Sequence, residues 1–256
     1  MNTLLTVNLL IVGGGRSGRR FAESYMFNSN INITIAGFSY KSESLKLAEK
    51  FHFDYVEFKN IIDFTIYDVI ALSVPYELKK KCIETINKSN YRGRYILEKP
   101  FAIDCEDYQF MMNMVKDNIF CVPFSRRYEK KYDISIEENT SIVWPLNLYK
   151  EVDVFYDLLP HCIDWIVRAL NKDIISIDVI SNLNNDYIFK LNGITFEVKF
   201  VYNETENVTV NGIEYPWIDI YKINNIMLSK LLEQEEKNLK LEKELYYIST
   251  IMEALQ

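Results

Sequence analysis

Two short stretches of this chain carry residue types that bind anions or move protons. The first is Gly13-Gly14-Gly15-Arg16-Ser17-Gly18, which fits G-x-G-x-x-G at Gly13, Gly15 and Gly18. That spacing suits a pyrophosphate. The first glycine permits a tight turn, and the second has no side chain to keep phosphate oxygens from backbone N–H groups. The third lets a helix pack closely on its strand. An apolar run, Val7 to Val12, precedes the motif and a helical pattern follows it, the context in which it reads as a dinucleotide site. Arg16 and Ser17 add a cation and a hydroxyl at the helix start. A carboxylate that would accept from a ribose 2′-hydroxyl is expected after the second strand. The chain has Gly37-Phe38-Ser39-Tyr40-Lys41 there instead. Ser39 and Lys41, with Arg16, suit a 2′-phosphate, so NADP(H) is the expected cofactor and NAD(H) the second candidate.

The second stretch surrounds one of only two histidines. His52, in Phe51-His52-Phe53, is assigned no role. His161 lies in Asp157-Leu158-Leu159-Pro160-His161-Cys162-Ile163-Asp164-Trp165. Residues 157, 161 and 164 would fall within about 60° of one another on a helix. Pro160 suits the first helical turn, which leaves Asp157 either on the helix or just before it. In both cases two carboxylates flank the imidazole. Such a neighbour raises a histidine pKa and fixes its tautomer, as proton transfer requires. Three ligands on one helix without a second histidine make a poor zinc site, and no metal is expected.

These residues need elements to hold them. Strand patterns at 7–12, 31–38, 67–74, 94–97 and 119–122 alternate with helical patterns at 19–28, 42–51, 79–87 and 104–116. This alternation implies parallel pairing with right-handed crossovers. Beyond it come a helix at 158–170 and strand patterns at 174–180, 187–191, 194–202 and 207–210. Asn192-Gly193 and Asn211-Gly212 are hairpin signals. A terminal helix from about residue 222 carries an apolar stripe through Leu241, Leu245, Ile248, Met252 and Leu255. The expected fold class is α/β: a Rossmann dinucleotide-binding domain over 1–122, then a short α+β domain over 123–256 with a mainly antiparallel sheet.

With 256 residues, 48% hydrophobic and 25% charged, the chain has a globular composition. Its net charge of −7 argues against a nucleic-acid partner. No apolar run is long enough for a membrane span, and no basic leader precedes the first strand. Cys82, Cys105, Cys121 and Cys162 match neither metal nor disulfide spacing. A cytoplasmic location is the expectation.

Taken together, the motifs resemble the glucose–fructose oxidoreductase/inositol dehydrogenase (Gfo/Idh/MocA) family. The resemblance rests on the glycine motif, Ser73-Val74-Pro75, Glu98-Lys99-Pro100, Phe124-Ser125-Arg126-Arg127-Tyr128 and D-x-x-x-H-x-x-D at 157–164, in that order. It implies a nicotinamide-dependent oxidoreductase acting on a small molecule, of which a sugar or sugar nucleotide comes first. It further implies that Lys99 lies near nicotinamide and substrate oxygen, and that His161 with Asp157 serves proton transfer. Arg127 would stand on the substrate side, and Ser73, Pro75 and Glu98 beside the cofactor. A homodimer or homotetramer through the C-terminal sheet is implied as well. Lys79 departs from the pattern, standing where the family usually carries a histidine, and the C-terminal domain is trimmed. Two other classes compete: a non-catalytic NADP-binding sensor, and a biliverdin-reductase-like or imine-reducing enzyme. An interaction protein using the 241–255 stripe is a weaker rival, because core packing explains that stripe.

Overall fold

Leu9 to Val12 are fully buried, which is why Val7–Val12 (β1) is unbroken apolar sequence from Leu9 onwards rather than alternating. It is the central strand of a six-stranded sheet with Ile31–Gly37 (β2), Asp54–Glu57 (β3), Val69–Leu72 (β4), Arg94–Leu97 (β5) and Ile119–Cys121 (β6). The strand order is β3-β2-β1-β4-β5-β6, and every pairing is parallel. The winding direction reverses between β1 and β4, the switch point at which doubly wound sheets bind ligands. The helices between strands are Arg16–Tyr25 (α1), Glu43–Phe51 (α2), Tyr76–Asn87 (α3) and Cys105–Val115 (α4). The computed structural model describes residues 6–38, 42–146, 153–183, 185–202, 207–216 and 218–256.

A second sheet holds Asn139–Pro145 (β7), Ile177–Leu183 (β8), Asp186–Leu191 (β9), Ile194–Val201 (β10), Val208–Val210 (β11) and Ile213–Tyr215 (β12). Its order is β12-β11-β7-β10-β9-β8, antiparallel except for β7 against β10. Leu159–Leu170 (α5) intervenes in sequence between β7 and β8. Both hairpin signals form the turns they predict. Asn192 and Gly193 have φ of 53° and 82°, and Asn211 and Gly212 have 50° and 77°. Positive φ at both central residues is the requirement of a type I′ turn. Alternate residues of the central strands face the core: Ile142 and Trp144, Tyr187 and Phe189, Phe196 and Val198. Nine of the twelve residues of α5 are buried, so its sequence shows no polar face.

The chain ends in two helices, Ile220–Glu233 (α6) and Leu239–Ala254 (α7), rather than one from residue 222. Two compact units result. One comprises Met1–Glu98, Phe110–Pro123 and Asp219–Asn238; the other comprises Lys99–Gln109, Phe124–Ile218 and Leu239–Gln256. The division therefore does not follow a single boundary at 122/123. The reason is the buried face of α6, with Ile223, Met227, Leu228 and Leu231, which completes the first unit. There Asn224 Nδ2 donates to Ser24 Oγ at 2.9 Å, and Arg94 Nε donates to the carbonyl of Leu231 at 2.9 Å. β3, β7 and β12 had no clear sequence pattern. None of the four cysteines is in a disulfide. Among the described residues, no helix is long and apolar enough to cross a membrane.

Candidate active site

In the first unit the glycine turn joins β1 to α1. Gly13 has φ +98°, and a Cβ there would lie 2.4 Å from the carbonyl oxygen of Ser73. A Cβ on Gly18 would lie 1.9 Å from the carbonyl oxygen of Gly13. Both positions are closed by backbone. Gly15 is the opposite case: nothing lies within 4 Å of its Cβ position, and it is exposed. Gly15 is also the N-cap of α1, with no side-chain cap bond and no acidic residue in the first turn. The first N–H groups of a helix have no intrahelical partner, so this end presents uncapped donors and a positive dipole. Arg16 is exposed and Ser17 half-buried beside them.

Ser73 follows β4, with its N–H on the carbonyl of Val12 at 2.8 Å. Its buried Oγ has no hydrogen-bond partner. An orphaned hydroxyl, an open glycine and an uncapped helix start fit the phosphates and ribose of a dinucleotide. Pro75 and Glu98 stand at the ends of the same adjoining strands, with Glu98 N–H on the carbonyl of Leu72 at 3.3 Å. Ser39 and Lys41 lie outside the described residues. Lys79 is 1% exposed, and its ammonium donates to the Glu98 carbonyl.

The contrast between glycines gives a test. Gly15→Ala should leave unfolding within about 1 kcal/mol of wild type, the scale of an N-cap change. It should weaken nucleotide binding about tenfold or more, since 1.4 kcal/mol of lost contact suffices. Gly18→Ala should lower stability itself. Thermal unfolding beside nucleotide titration separates the two; equal nucleotide affinity in Gly15→Ala would mean that no phosphate sits there.

In the second unit, Lys99 and Asp157 meet. Lys99 Nζ donates to the Asp157 carbonyl at 2.7 Å and to its Oδ1 at 3.0 Å. The lysine side chain is 16% exposed and the aspartate 46%. Asp157 does not continue the geometry of α5. It sits in a π-helical turn, Val154–Leu158, closed by the Leu159 N–H on the Val154 carbonyl. Pro160 is the local cause. It has no N–H for the carbonyl four residues back and would clash with it, and the wider turn avoids both problems. Asp153 Oδ1 starts this turn by accepting from the Tyr156 N–H at 3.1 Å. His161, on the first turn of α5, is half-buried. Its ring meets Phe124 edge-on at 5.7 Å and stacks on Trp144 at 6.1 Å.

The second carboxylate of the motif is committed elsewhere. Asp164 Oδ1 accepts from Arg127 Nε at 2.7 Å and from Arg127 Nη2. Arg127 Nη1 donates to Glu244 Oε2 on α7 at 2.5 Å. The Arg127 guanidinium, expected on the substrate side, joins α5 to α7 inside the second unit. Burial pushes the Asp164 carboxyl up to about 6, against the pull of Arg127. The two carboxylates hold Arg127 charged. A folded-state value above the unfolded one, about 3.9, means that the native state binds the extra proton. This carboxyl then favours folding below about pH 4, and the contribution is lost as pH rises through about 6. Urea unfolding of wild type and Asp164→Asn at pH 4.5 and 7 reads this. The wild-type advantage should shrink with rising pH; growth would mean that Arg127 dominates.

The sequence pattern did not point to Glu244 or Trp144, and it marked Phe124 only as part of the 124–128 segment. Glu244 had a signal, since it falls on the apolar stripe between Leu241 and Leu245 and is 7% exposed. Trp144 had none, because its strand was not recognised. Among the described residues, no group of three metal-ligating side chains comes together.

The sheet order, the glycine turn and the α1 terminus together define a doubly wound α/β domain of the Rossmann, dinucleotide-binding type. The family model GFO_IDH_MocA, described as an oxidoreductase family with an NAD-binding Rossmann fold, matches residues 7–122. The match spans a little under half of the chain, so the similarity to the Gfo/Idh/MocA oxidoreductases is one of this N-terminal domain. No curated protein sequence matches it. Solved structures resemble it over nearly the whole length. Myo-inositol 2-dehydrogenase from Lactobacillus plantarum has a TM-score of 0.73 at 15% identity, covering 98% of this chain and 96% of that one. Scyllo-inositol dehydrogenase from Lactobacillus casei, with bound NAD(H) and scyllo-inositol, has 0.68 at 13%, covering 96% of each. KijD10, a 3-ketoreductase from Actinomadura kijaniata in complex with NADP and TDP-benzene, has 0.72 at 10%, covering 97% of this chain and 96% of that one. At these identities the likeness is one of fold.

Proposed function

We propose that the protein is an NADP-dependent oxidoreductase that moves a hydride between nicotinamide and an oxygen-bearing carbon of a sugar, sugar nucleotide or cyclitol. The observation that carries this reading is the Lys99–Asp157 pair, set four residues before His161 on the adjoining helix. When bound, the nicotinamide supplies hydride exchange at C4. Gly13, Gly15, Arg16, Ser17 and Gly18 hold its phosphates, with Ser73, Pro75 and Glu98 beside the rest of the cofactor. Lys99 donates a hydrogen bond to the substrate oxygen and stabilises negative charge there. Asp157 holds the ammonium in place for that contact. His161 takes the proton from the oxygen in oxidation and returns it in reduction. The named activities of the structural relatives, on inositols and on a keto-sugar nucleotide, support this substrate class.

The preference for NADP rests on Ser39, Lys41 and Arg16. Hydrogen bonds to a charged phosphate contribute roughly 1.5–3 kcal/mol, or about 10- to 150-fold in affinity, with any solvent-exposed contact contributing at the lower end. NADPH should therefore bind at least about tenfold more tightly than NADH by fluorescence titration at one fixed salt concentration. Ser39→Asp with Lys41→Ala should abolish or invert that preference. Equal affinities in the wild type would show that these residues do not read the 2′ position. The activity itself is tested by following reduced nucleotide consumption with keto-inositols, keto-sugars and keto-sugar nucleotides. Turnover with one of these supports the reading, and tight nucleotide binding without turnover across the series would favour a sensor.

A further inference from the structure

We propose that Trp144 is a positioning residue that sets the orientation of the His161 imidazole. The inference deepens the reading above, since it concerns the group assigned to proton transfer, but its content is geometric. The side-chain torsion that turns a histidine ring is broad and roughly two-fold, so an imidazole that must present one nitrogen to one oxygen needs neighbours to hold its plane. Among the described residues, Trp144 and Phe124 flank the His161 ring in different ways. Trp144 stacks on it at 6.1 Å with an interplanar angle of 25°, and Phe124 meets it edge-on at 5.7 Å and 87°. A face and an edge at nearly a right angle define one plane for the ring.

Trp144 is itself held firmly. It lies on β7, is 2% exposed, and has Phe200 of β10 at 6.4 Å. The Arg126 guanidinium carbon lies 4.4 Å from its ring centre. A buried indole normally finds a partner for its N–H, yet Trp144 Nε1 has none. Phenylalanine would fill this core position without stranding a donor. What tryptophan adds is the wider ring face laid against the imidazole.

The presence of only two histidines makes the test direct. Ring-proton NMR of the unliganded protein resolves His161, with His52 as an internal control. Trp144→Phe and Trp144→Leu are compared with wild type. The upfield displacement of the His161 ring protons by the Trp144 face should be reduced but present in Trp144→Phe and lost in Trp144→Leu, with His52 unmoved in both. On a substrate that turns over, Trp144→Leu should lower kcat by about 10²-fold, the scale of a misplaced reacting group. Nucleotide affinity should be unchanged, and Trp144→Phe should recover part of the loss. His161 resonances identical in wild type and Trp144→Leu would overturn the proposal, as would a Trp144→Phe protein indistinguishable from either of the others. Should Trp144→Leu not fold, Trp144→Phe decides alone: a reduced displacement supports the proposal, and an unchanged or abolished one overturns it. These signals need no turnover, so failure here is separate from failure of the proposed activity, which the His161→Ala variant tests.

Discussion

His161→Ala and Lys99→Ala should each lower turnover by about 10²–10⁴, the usual contribution of a positioned acid–base group. Both effects should fall on kcat. In a nucleotide titration the proposed phosphate-binding residues Gly15, Arg16 and Ser17 are unchanged in both variants, so cofactor affinity should stay close to wild type. Lys99 has the more sharply defined geometry, with its ammonium fixed on both the carbonyl and the carboxylate of Asp157. Asp157→Asn keeps an acceptor but removes the charge, and should cost less than losing Lys99. The double variant of Lys99 and His161 should lose less than the product of the single losses, because groups acting on one oxygen act as a unit. Steady-state kinetics beside nucleotide titration checks all of this. Near-normal turnover in both single variants would remove the pair from the mechanism.

Arg127→Met should lower the stability of the second unit by about 3–5 kcal/mol, the cost of removing one partner from a buried charge cluster. The Arg127 side chain is 12% exposed, that of Asp164 2% and that of Glu244 9%, so the variant would remove the buried cation that both carboxylates share, leaving Glu244 only the longer pair with Lys240 at 3.9 Å. Replacing all three with apolar side chains of similar volume should recover most of that loss, because the penalty is the stranded charge rather than the missing ion pair. Urea unfolding followed by tryptophan fluorescence reads the difference, with Trp165 and Trp144 buried in this unit. A loss below about 1 kcal/mol would mean that the cluster behaves as a surface pair.

The legible parts of the chain were those in which one residue type answers a backbone demand. Gly13 must take a positive φ beside Ser73, and Gly18 must pass close to Gly13, so the glycine turn and the strand before it could be read directly. The two Asn-Gly turns were legible for the same reason. Contacts made across sequence were not. Arg127 finds Asp164 37 residues away and Glu244 117 residues away, and no local pattern announces either. The spacing of 157, 161 and 164 suggested carboxylates flanking an imidazole. Pro160 opened the turn before α5, and the carboxylates lie on Lys99 and Arg127. β7 escaped notice because the positions alternating with its buried ones hold Asn139, Ser141 and Val143, exposed in the first case and half-buried in the others, a mixture that shows no clean alternation. The α6 segment was legible as helix, but its membership of the first unit depends on its buried face and on Arg94, which gather its carbonyls from a distant strand.

The central claim is hydride transfer by this chain at an oxygen-bearing carbon. Its most direct test is reduction with NADPH carrying deuterium at C4, in the presence of keto-inositols, keto-sugars and keto-sugar nucleotides, followed by mass spectrometry of the products. One deuterium is expected on a single former carbonyl carbon, transferred by the wild-type protein and at a rate lower by about 10²–10⁴ in Lys99→Ala and His161→Ala. Deuterium remaining wholly on the nucleotide throughout, while the protein binds that nucleotide, would contradict it.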